Sequence, residues 1–382
     1  GPSGLAAVKN LKEQGLYQVT VFEKSSQIGG NWVYSGATEH SSVYQSTHLI
    51  SSKKWSQFDD FPMPWEYPDY PSHELVLKYF QDYATHFELL PYIQFNTKVL
   101  HARHLPNQQW EIDYEDASGR YTRVFDYLIV ANGHHWDPYM PKYSGTFEGQ
   151  MIHSHSYKNA EPFKGQRVLV IGGGNSGCDI AVDLSRVARE TCISLRRGYH
   201  IFPKFILGKP IDEVVSMVRW MPSKMRQSVI KWFIRGWQGR YPKYKLQKPD
   251  CGPLELHPTV NSELLYHIRH GNIHPLQGID RFMGNRVYFS DGTIKEFDTV
   301  IWATGYKISL PFFDPKDMDF SQSTEFPLYR KFMHPDFETL YFIGFCQPQG
   351  CIWPLSDYQS RVVSRLIKGE LKRPKHLHAK IA

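Results

Sequence analysis

At 382 residues, 41% of them hydrophobic and 15% aromatic, the chain has the composition of an ordinary globular protein and the length for two or three domains, each burying its own core. Its formal net charge of +6 is mild and spread along the sequence, which suits anionic small molecules and is too diffuse for a nucleic-acid-binding protein. Five cysteines, odd in number and without a C-x-x-C pair, argue against a disulfide scaffold and for a reducing, cytoplasmic setting, and no run of about eighteen apolar residues is present to span a membrane.

The chain opens Gly1-Pro2-Ser3-Gly4-Leu5-Ala6-Ala7, which reads as the last four positions of a G-x-G-x-x-G turn running into a helix that ends near Gln14. A strand is expected over 18–22, with Glu23 at its end, nineteen residues after Gly4, where a carboxylate hydrogen-bonds an adenosine ribose. The first strand and first glycine of such a unit would precede Gly1, so a few further residues are expected in the native protein, visible as extra mass in intact-mass analysis. Pro62, Pro64, Pro68 and Pro71 mark a long loop, and Ser72 opens a helix whose apolar stripe is Leu75, Tyr79 and Tyr83. Strands follow over 93–99, 110–114 and 121–124, the last two joined by a turn at 117–119.

They lead into an octet, Asp126 to Gly133, whose Asp126, Ile129, Ala131 and Gly133 recur in register as Asp298, Ile301, Ala303 and Gly305. Ahead of the second octet lie a helix over 261–270 and strands over 286–289 and 293–297, so the chain contains an internal repeat. At the head of the second copy, the apolar run 168–171 is followed by Gly172, Gly174 and Gly177, a helical pattern over 178–189 and a further strand over 191–195. Glycines at this spacing allow a tight turn and the close approach of backbone to a pyrophosphate, while Asn175 and Ser176 sit at a helix N-terminus that offers N–H groups to phosphates. Arg196 and Arg197 end the next strand, where an acid would mark NAD and a guanidinium accommodates the 2′-phosphate of NADPH. The alternative is that the pair merely solvates a strand end. His153 and His155 form an H-x-H pair with no third ligand at metal spacing, so no metal site is expected.

The stretch 205–258 interrupts the repeat. It is rich in Trp, Met, Lys and Arg, and reads as a helical insertion broken at Pro222. A basic amphipathic element on a membrane surface is one reading; a cover for the nucleotide domain with Trp packed inward is the preferred one. A strand over 340–344, a loop over 345–356 and a helix over 357–368 close the chain.

Phe147, Gly149, His153, Tyr157 and Lys158 meet the pattern F-x-G-x-x-x-H-x-x-x-Y-K, which resembles the signature of the class B flavoprotein monooxygenases, the flavin-containing monooxygenases in particular; the related Baeyer–Villiger enzymes carry Trp in place of Tyr157. Gly29-Gly30-Asn31-Trp32 resembles the G-G-x-W element that lies along FAD in that family, or is a simple turn, and Ala303-Thr304-Gly305-Tyr306 is similar to its A-T-G-Y motif. The resemblance implies an α/β fold of two Rossmann-like dinucleotide-binding domains, the disulfide-reductase-like flavoprotein architecture, with a helical insertion. Residues 1–146 and 280–382 would bind FAD and 147–279 NADPH. It implies Gly1, Ser3, Gly4, Glu23, Gly30, Trp32, Val99 and Gln347 as FAD contacts, with Gln349 a further candidate, and Gly172, Gly174, Asn175, Ser176, Gly177, Arg196 and Arg197 as NADPH contacts.

The reaction it implies is NADPH- and O2-dependent oxygenation of a soft nucleophile, amine nitrogen or sulfide sulfur, through a C4a-hydroperoxyflavin. Baeyer–Villiger oxygenation of a ketone, or an uncoupled NADPH oxidase producing H2O2, are the alternatives. Where similar enzymes have an Asn ahead of the Ser51-Ser52-Lys53 region, near the reactive flavin carbon, this chain has Ile50. His48, Ser51 and Ser52 are candidate substitutes beside the flavin, or ordinary loop residues. Substrate identity and oligomeric state stay open, a homodimer being one alternative.

Overall fold

A computed structural model describes residues 1–35, 41–255, 257–316, 318 and 327–381. They form two compact units, one of residues 1–34, 53–137 and 306–382 and the other of 35–52 and 138–305.

The second unit is built on a parallel five-stranded sheet in the order Ile273–Leu276, Glu190–Ser194, Arg167–Ile171, Thr299–Trp302, Gln150–His153. Its central strand is apolar on both faces because both are covered. Val168 and Val170 pack with Cys178, Ile180, Ala181, Val182 and Leu184 around the helix Asn175–Leu184. Leu169 and Ile171 pack with Phe297 and with Val287 and Phe289 of a smaller sheet in the order Ile294–Glu296, Arg286–Phe289, Ile279–Gly284, Ser144–Phe147. Each such side chain removed from water contributes about 1.5–3 kcal/mol.

This sheet places residues 279–305 in the second unit, so the division differs from the one expected at 280. The physical cause is the strand Thr299–Trp302, which pairs in parallel with Arg167–Ile171, Leu169 opposite Val300; a cut at 280 would also run through the strand Ile279–Gly284. Residues 35–52 and 138–146, sequentially part of the first half, belong to the second unit as well.

The insertion breaks at Pro222 into helices Ile211–Met217 and Ser223–Gln238, over a core of its own made of Phe202, Ile206, Ile211, Ile230, Ile234 and Val260. Its tryptophans do not pack inward as expected. Trp220, in the link between the two helices, is 74% exposed, and Trp232 is 75% exposed because Ile230 and Ile234, one turn apart on the same helix, already supply its buried face.

In the first unit the helix Pro2–Glu13 lies along the helix Ile352–Ile367, tied by Asn10 Nδ2 donating to Asp357 Oδ1 at 2.7 Å. The helix His73–His86 buries Val76, Tyr79, Phe80 and Tyr83, with the ring of Phe58 4.4 Å from that of Tyr83. The strands Lys98–His104, Trp110–Asp116 and Gly119–Phe125 form the expected meander. The strand expected over 18–22 forms only at Val21–Phe22, where a parallel partner, Ile93–Gln94, is available; Leu128–Val130 pairs with Leu340–Phe342. The closing helix starts at Ile352, five residues ahead of the expected 357, since Pro354 sits in its first turn where the missing N–H costs no hydrogen bond.

Candidate functional site

In the second unit the strand Arg167–Ile171 ends in a glycine turn that no other residue could make. Gly172 has φ +123°, and a Cβ there would stand 2.3 Å from the Ala303 carbonyl oxygen. A Cβ on Gly177 would stand 2.1 Å from the Gly172 oxygen, so helix and turn meet backbone to backbone. Gly174 caps the helix Asn175–Leu184 and faces open space, with exposed Ser176 beside it, so the first-turn N–H groups are presented to an anion. The Asn175 side chain is engaged elsewhere: Nδ2 donates to the Pro258 carbonyl at 3.2 Å and Oδ1 accepts from the Val260 N–H at 2.8 Å, leaving its backbone for a phosphate. Arg196 and Arg197 are both exposed just past the strand Glu190–Ser194, which runs beside the turn strand with Ser194 opposite Ile171. The Arg197 guanidinium lies 5.5 Å from the Tyr199 ring centroid. A turn of this shape with two cations at the neighbouring strand end fits a dinucleotide carrying a 2′-phosphate.

The signature residues act as a clamp within this unit. Gly149 is required because a Cβ would meet the Asp298 carbonyl oxygen at 2.5 Å. His153 is buried; its Nδ1 accepts from the His155 N–H at 3.1 Å, so Nε2 carries the proton and donates to the Gly305 carbonyl at 3.0 Å. Burial holds its pKa down at about 4, only partly opposed by that bond, and the ring is neutral. Tyr157 donates to Asp183 Oδ2 at 3.4 Å, and the Lys158 ammonium donates to the carbonyls of Ser41 and, at 3.3 Å, Val43. Burial lowers the Lys158 pKa.

Lys158 thereby holds the strap 41–52, which carries the candidate catalytic residues. His48 is exposed, its ring bonded to the Ser46 carbonyl at 2.8 Å. Ser51 and Ser52 are buried, and the Ser52 hydroxyl has no hydrogen-bond partner among the described residues. Ile50, directly ahead of them, is half-buried. The strap is fixed by carboxylates that the sequence reading missed: Tyr44 donates to Asp179 at 3.0 Å, Ser46 to Asp183, and the Ser52 N–H to Asp212 at 2.6 Å. Burial raises the carboxyl pKa of Asp179 and of Asp183. The signal that could have found Asp179 and Asp183 is their four-residue spacing with Asn175, a polar stripe along the helix Asn175–Leu184; Asp212 lies on another helix and carries no such signal.

In the first unit Gly1 caps the helix Pro2–Glu13, and Gly30, at φ +56°, approaches so closely that a Cβ on it would lie 2.9 Å from the Gly1 Cα. Ser3 Oγ lies 3.0 Å from Ser356 Oγ, and a Cβ on Gly4 would make only an ordinary contact with Ala131. Glu23 follows the strand Val21–Phe22 and accepts from the Ser25 N–H at 3.0 Å. Helix N-terminus, glycine contact and carboxylate are thus brought together in the arrangement a second dinucleotide fits. Trp32 stands edge-on to Trp353 with ring centroids 5.6 Å apart, Val99 is half-buried in the strand Lys98–His104, and Gln347 is exposed. Among the described residues there is no group of three His, Cys, Asp or Glu placed to hold a metal, and no helix long and apolar enough to cross a membrane.

A family profile described as flavin-binding monooxygenase-like matches residues 1–380. Flavin-containing monooxygenase 5 of Rattus norvegicus is 36% identical over 399 residues, covering 98% of this chain and 73% of that protein. Flavin-containing monooxygenase 2 of Homo sapiens is 35% identical over 396 residues, with 98% and 73% covered. The fold is shared with S-allyl-L-cysteine S-oxygenase from Allium sativum, at TM-score 0.75 and 22% identity over 100% of this chain and 78% of that one. It is also shared with a cyclohexanone monooxygenase, at TM-score 0.73 and 17% identity over 99% and 89%.

Proposed function

The chain belongs to the flavin-binding monooxygenase-like family, and from that premise we propose how its residues divide the work of an FAD- and NADPH-dependent monooxygenase that oxygenates heteroatoms of small molecules. When bound, FAD and NADPH supply the hydride transfer and oxygen activation that no amino-acid side chain provides. We assign FAD to the first unit, at Gly1, Ser3, Gly4, Glu23, Gly30, Trp32, Val99 and Gln347, and NADPH to the second, at the turn 172–177 and at Arg196 and Arg197. The protein's own tasks are to hold the dinucleotides by helix N-termini and cations, to orient the strap 41–52, and to exclude water. The substrate class is a soft nucleophile, amine nitrogen or sulfide sulfur, and Tyr157 in place of the Trp of ketone-oxygenating relatives supports it. Five free cysteines, Cys178 and Cys192 fully buried among them, support a reducing, cytoplasmic setting.

The observation that carries the reading is the closed glycine turn with two exposed arginines at the adjacent strand end. Replacing Arg196 and Arg197 by Ala is expected to raise KM for NADPH about tenfold or more, the scale of lost charge-assisted contacts, and to change KM for NADH by less than about twofold. Equal effects on both nucleotides would overturn the 2′-phosphate assignment. A second reading, an NADPH oxidase that releases H2O2, is favoured by one residue, the apolar Ile50. The balance of oxygenated product against NADPH consumed separates the two.

A further inference from the structure

Asn175, Asp179 and Asp183 lie four residues apart and so present one polar ridge along the helix Asn175–Leu184. Two segments remote in sequence are laid along it. One is the return of the helical insertion: Asn175 binds the backbone of Pro258 and Val260, Thr259 Oγ1 donates to the Gly173 carbonyl at 2.9 Å, and Asn261 Nδ2 donates to Asp179 Oδ1 at 2.6 Å. Asn261 in turn accepts the N–H groups of Glu263 and Leu264 at 2.9 and 2.6 Å, fixing the start of the helix Leu264–Arg269. The other is the strap, through Tyr44 on the second oxygen of Asp179 and Ser46 on Asp183. The two segments meet at Asp179. At its far end the strap returns to the insertion, where the Ser52 N–H binds Asp212 of the helix Ile211–Met217. Phosphate turn, insertion and strap are thereby closed into one hydrogen-bonded circuit.

We propose that Asp179 is a positioning residue for oxygen transfer, which through Tyr44 fixes the strap 41–52, and through Asn261 the insertion, to the helix that binds NADPH. The proposal rests on the functional reading above, in which the strap carries the candidate catalytic residues His48 and Ser51. A carboxylate suits the task because it accepts from both partners at once and, half-buried, binds them more strongly than a neutral group would. Asp179 itself touches no reacting atom. Its loss leaves the glycine turn intact and loosens the strap that carries the candidate catalytic residues, and the share of electrons lost as H2O2 reads that loosening.

Tyr44→Phe removes one hydroxyl and the strap arm alone, and Asp179→Asn removes the charge at constant shape. Hydrogen exchange on the protein without substrate is expected to speed up about tenfold at Gln45 and Thr47, whose N–H groups bind the Lys158 and Tyr44 carbonyls at 2.8 and 2.9 Å, the scale of one lost bond to a charged group. Exchange at Val170 in the core strand is expected to stay within about twofold. In Tyr44→Phe, KM for NADPH and the anaerobic rate of flavin reduction are expected to hold within about twofold while the share of electrons released as H2O2 rises several-fold, and the double variant to resemble Asp179→Asn alone. Unchanged exchange at Gln45 and Thr47 in Tyr44→Phe would overturn the proposal, and so would effects of the two variants that multiply independently. So would a rise in H2O2 that only tracks weakened NADPH binding. The exchange measurement reads the strap even in an enzyme that releases all its electrons as H2O2, so failure of the functional reading and failure of this proposal are told apart.

Discussion

His153 makes the protein sensitive to mild acid in a way that can be worked out from its surroundings. The ring is buried with one nitrogen facing an N–H and the other donating to a carbonyl, an arrangement that has no place for a second proton. Its folded pKa of about 4 lies below the value of 6.5 expected in the unfolded chain. A base depressed in this way contributes stability that is present above the unfolded pKa and is lost as pH falls toward the folded one. Each pH unit below 6.5 costs about 1.4 kcal/mol until pH 4 is approached, so about 2 kcal/mol is lost by pH 5. His334 in the first unit, its Nδ1 accepting the N–H groups of Asp336 and Phe337 at 3.2 Å, is held at about 4 by burial and adds a similar loss there. The raised carboxyls of Asp179 and Asp183 act in the opposite sense, favouring the folded state as acid increases, so the net slope falls short of the histidine terms alone. The assay is urea unfolding of the FAD-free protein at pH 7.5 and pH 5, followed for the second unit by exchange at strand Arg167–Ile171, for the unmodified chain and His153→Gln. Glutamine reaches the same carbonyl without titrating. The variant is expected to be the less stable at pH 7.5 and to close the gap by about 2 kcal/mol at pH 5. A gap that stays constant with pH would refute the reasoning.

Gly177→Ala forces a methyl to within 2.1 Å of the Gly172 carbonyl oxygen, so helix and turn must part; NADPH affinity is expected to fall about a hundredfold with FAD content unchanged, read by nucleotide titration. Lys158→Met removes the ammonium from the Ser41 and Val43 carbonyls and is expected to cost about 1–3 kcal/mol of stability in the second unit and to expose the strap to limited proteolysis. Ile50→Asn restores the residue that similar enzymes carry ahead of Ser51 and Ser52; a larger share of NADPH oxidation ending in oxygenated product is expected, and a product balance checks it.

The two dinucleotide-binding units were legible because their signals are local and steric. Gly172, Gly174 and Gly177 announce a turn that the backbone contacts at Ala303 then explain, and the octets at 126–133 and 298–305 mark equivalent strands. What was not legible depends on partners distant in sequence. The boundary at 280 failed to account for the pairing of Thr299–Trp302 with Arg167–Ile171, and Trp232 of the insertion faces outward because Ile230 and Ile234 had already filled the inner side of its helix. Pro354, in a stretch whose sequence reads as a loop, sits in the first turn of a helix, where its missing N–H goes unnoticed. Within the site, the glycines and arginines could be named from spacing, whereas Asp179, Asp183 and Asp212 acquire their role only from Tyr44, Ser46 and the Ser52 N–H, residues more than a hundred positions away.

The central claim is that this protein couples oxidation of NADPH to insertion of one oxygen atom of O2 into a heteroatom, the other oxygen leaving as water. The direct test supplies NADPH, O2 and FAD-loaded enzyme with a tertiary amine, a thioether and a cyclic ketone in separate reactions, and measures oxygenated product and H2O2 against NADPH consumed. The account predicts N-oxide or S-oxide in proportion to NADPH and little or no ester from the ketone. NADPH consumed with H2O2 as the sole product from all three, or ester in preference to both oxides, would contradict it.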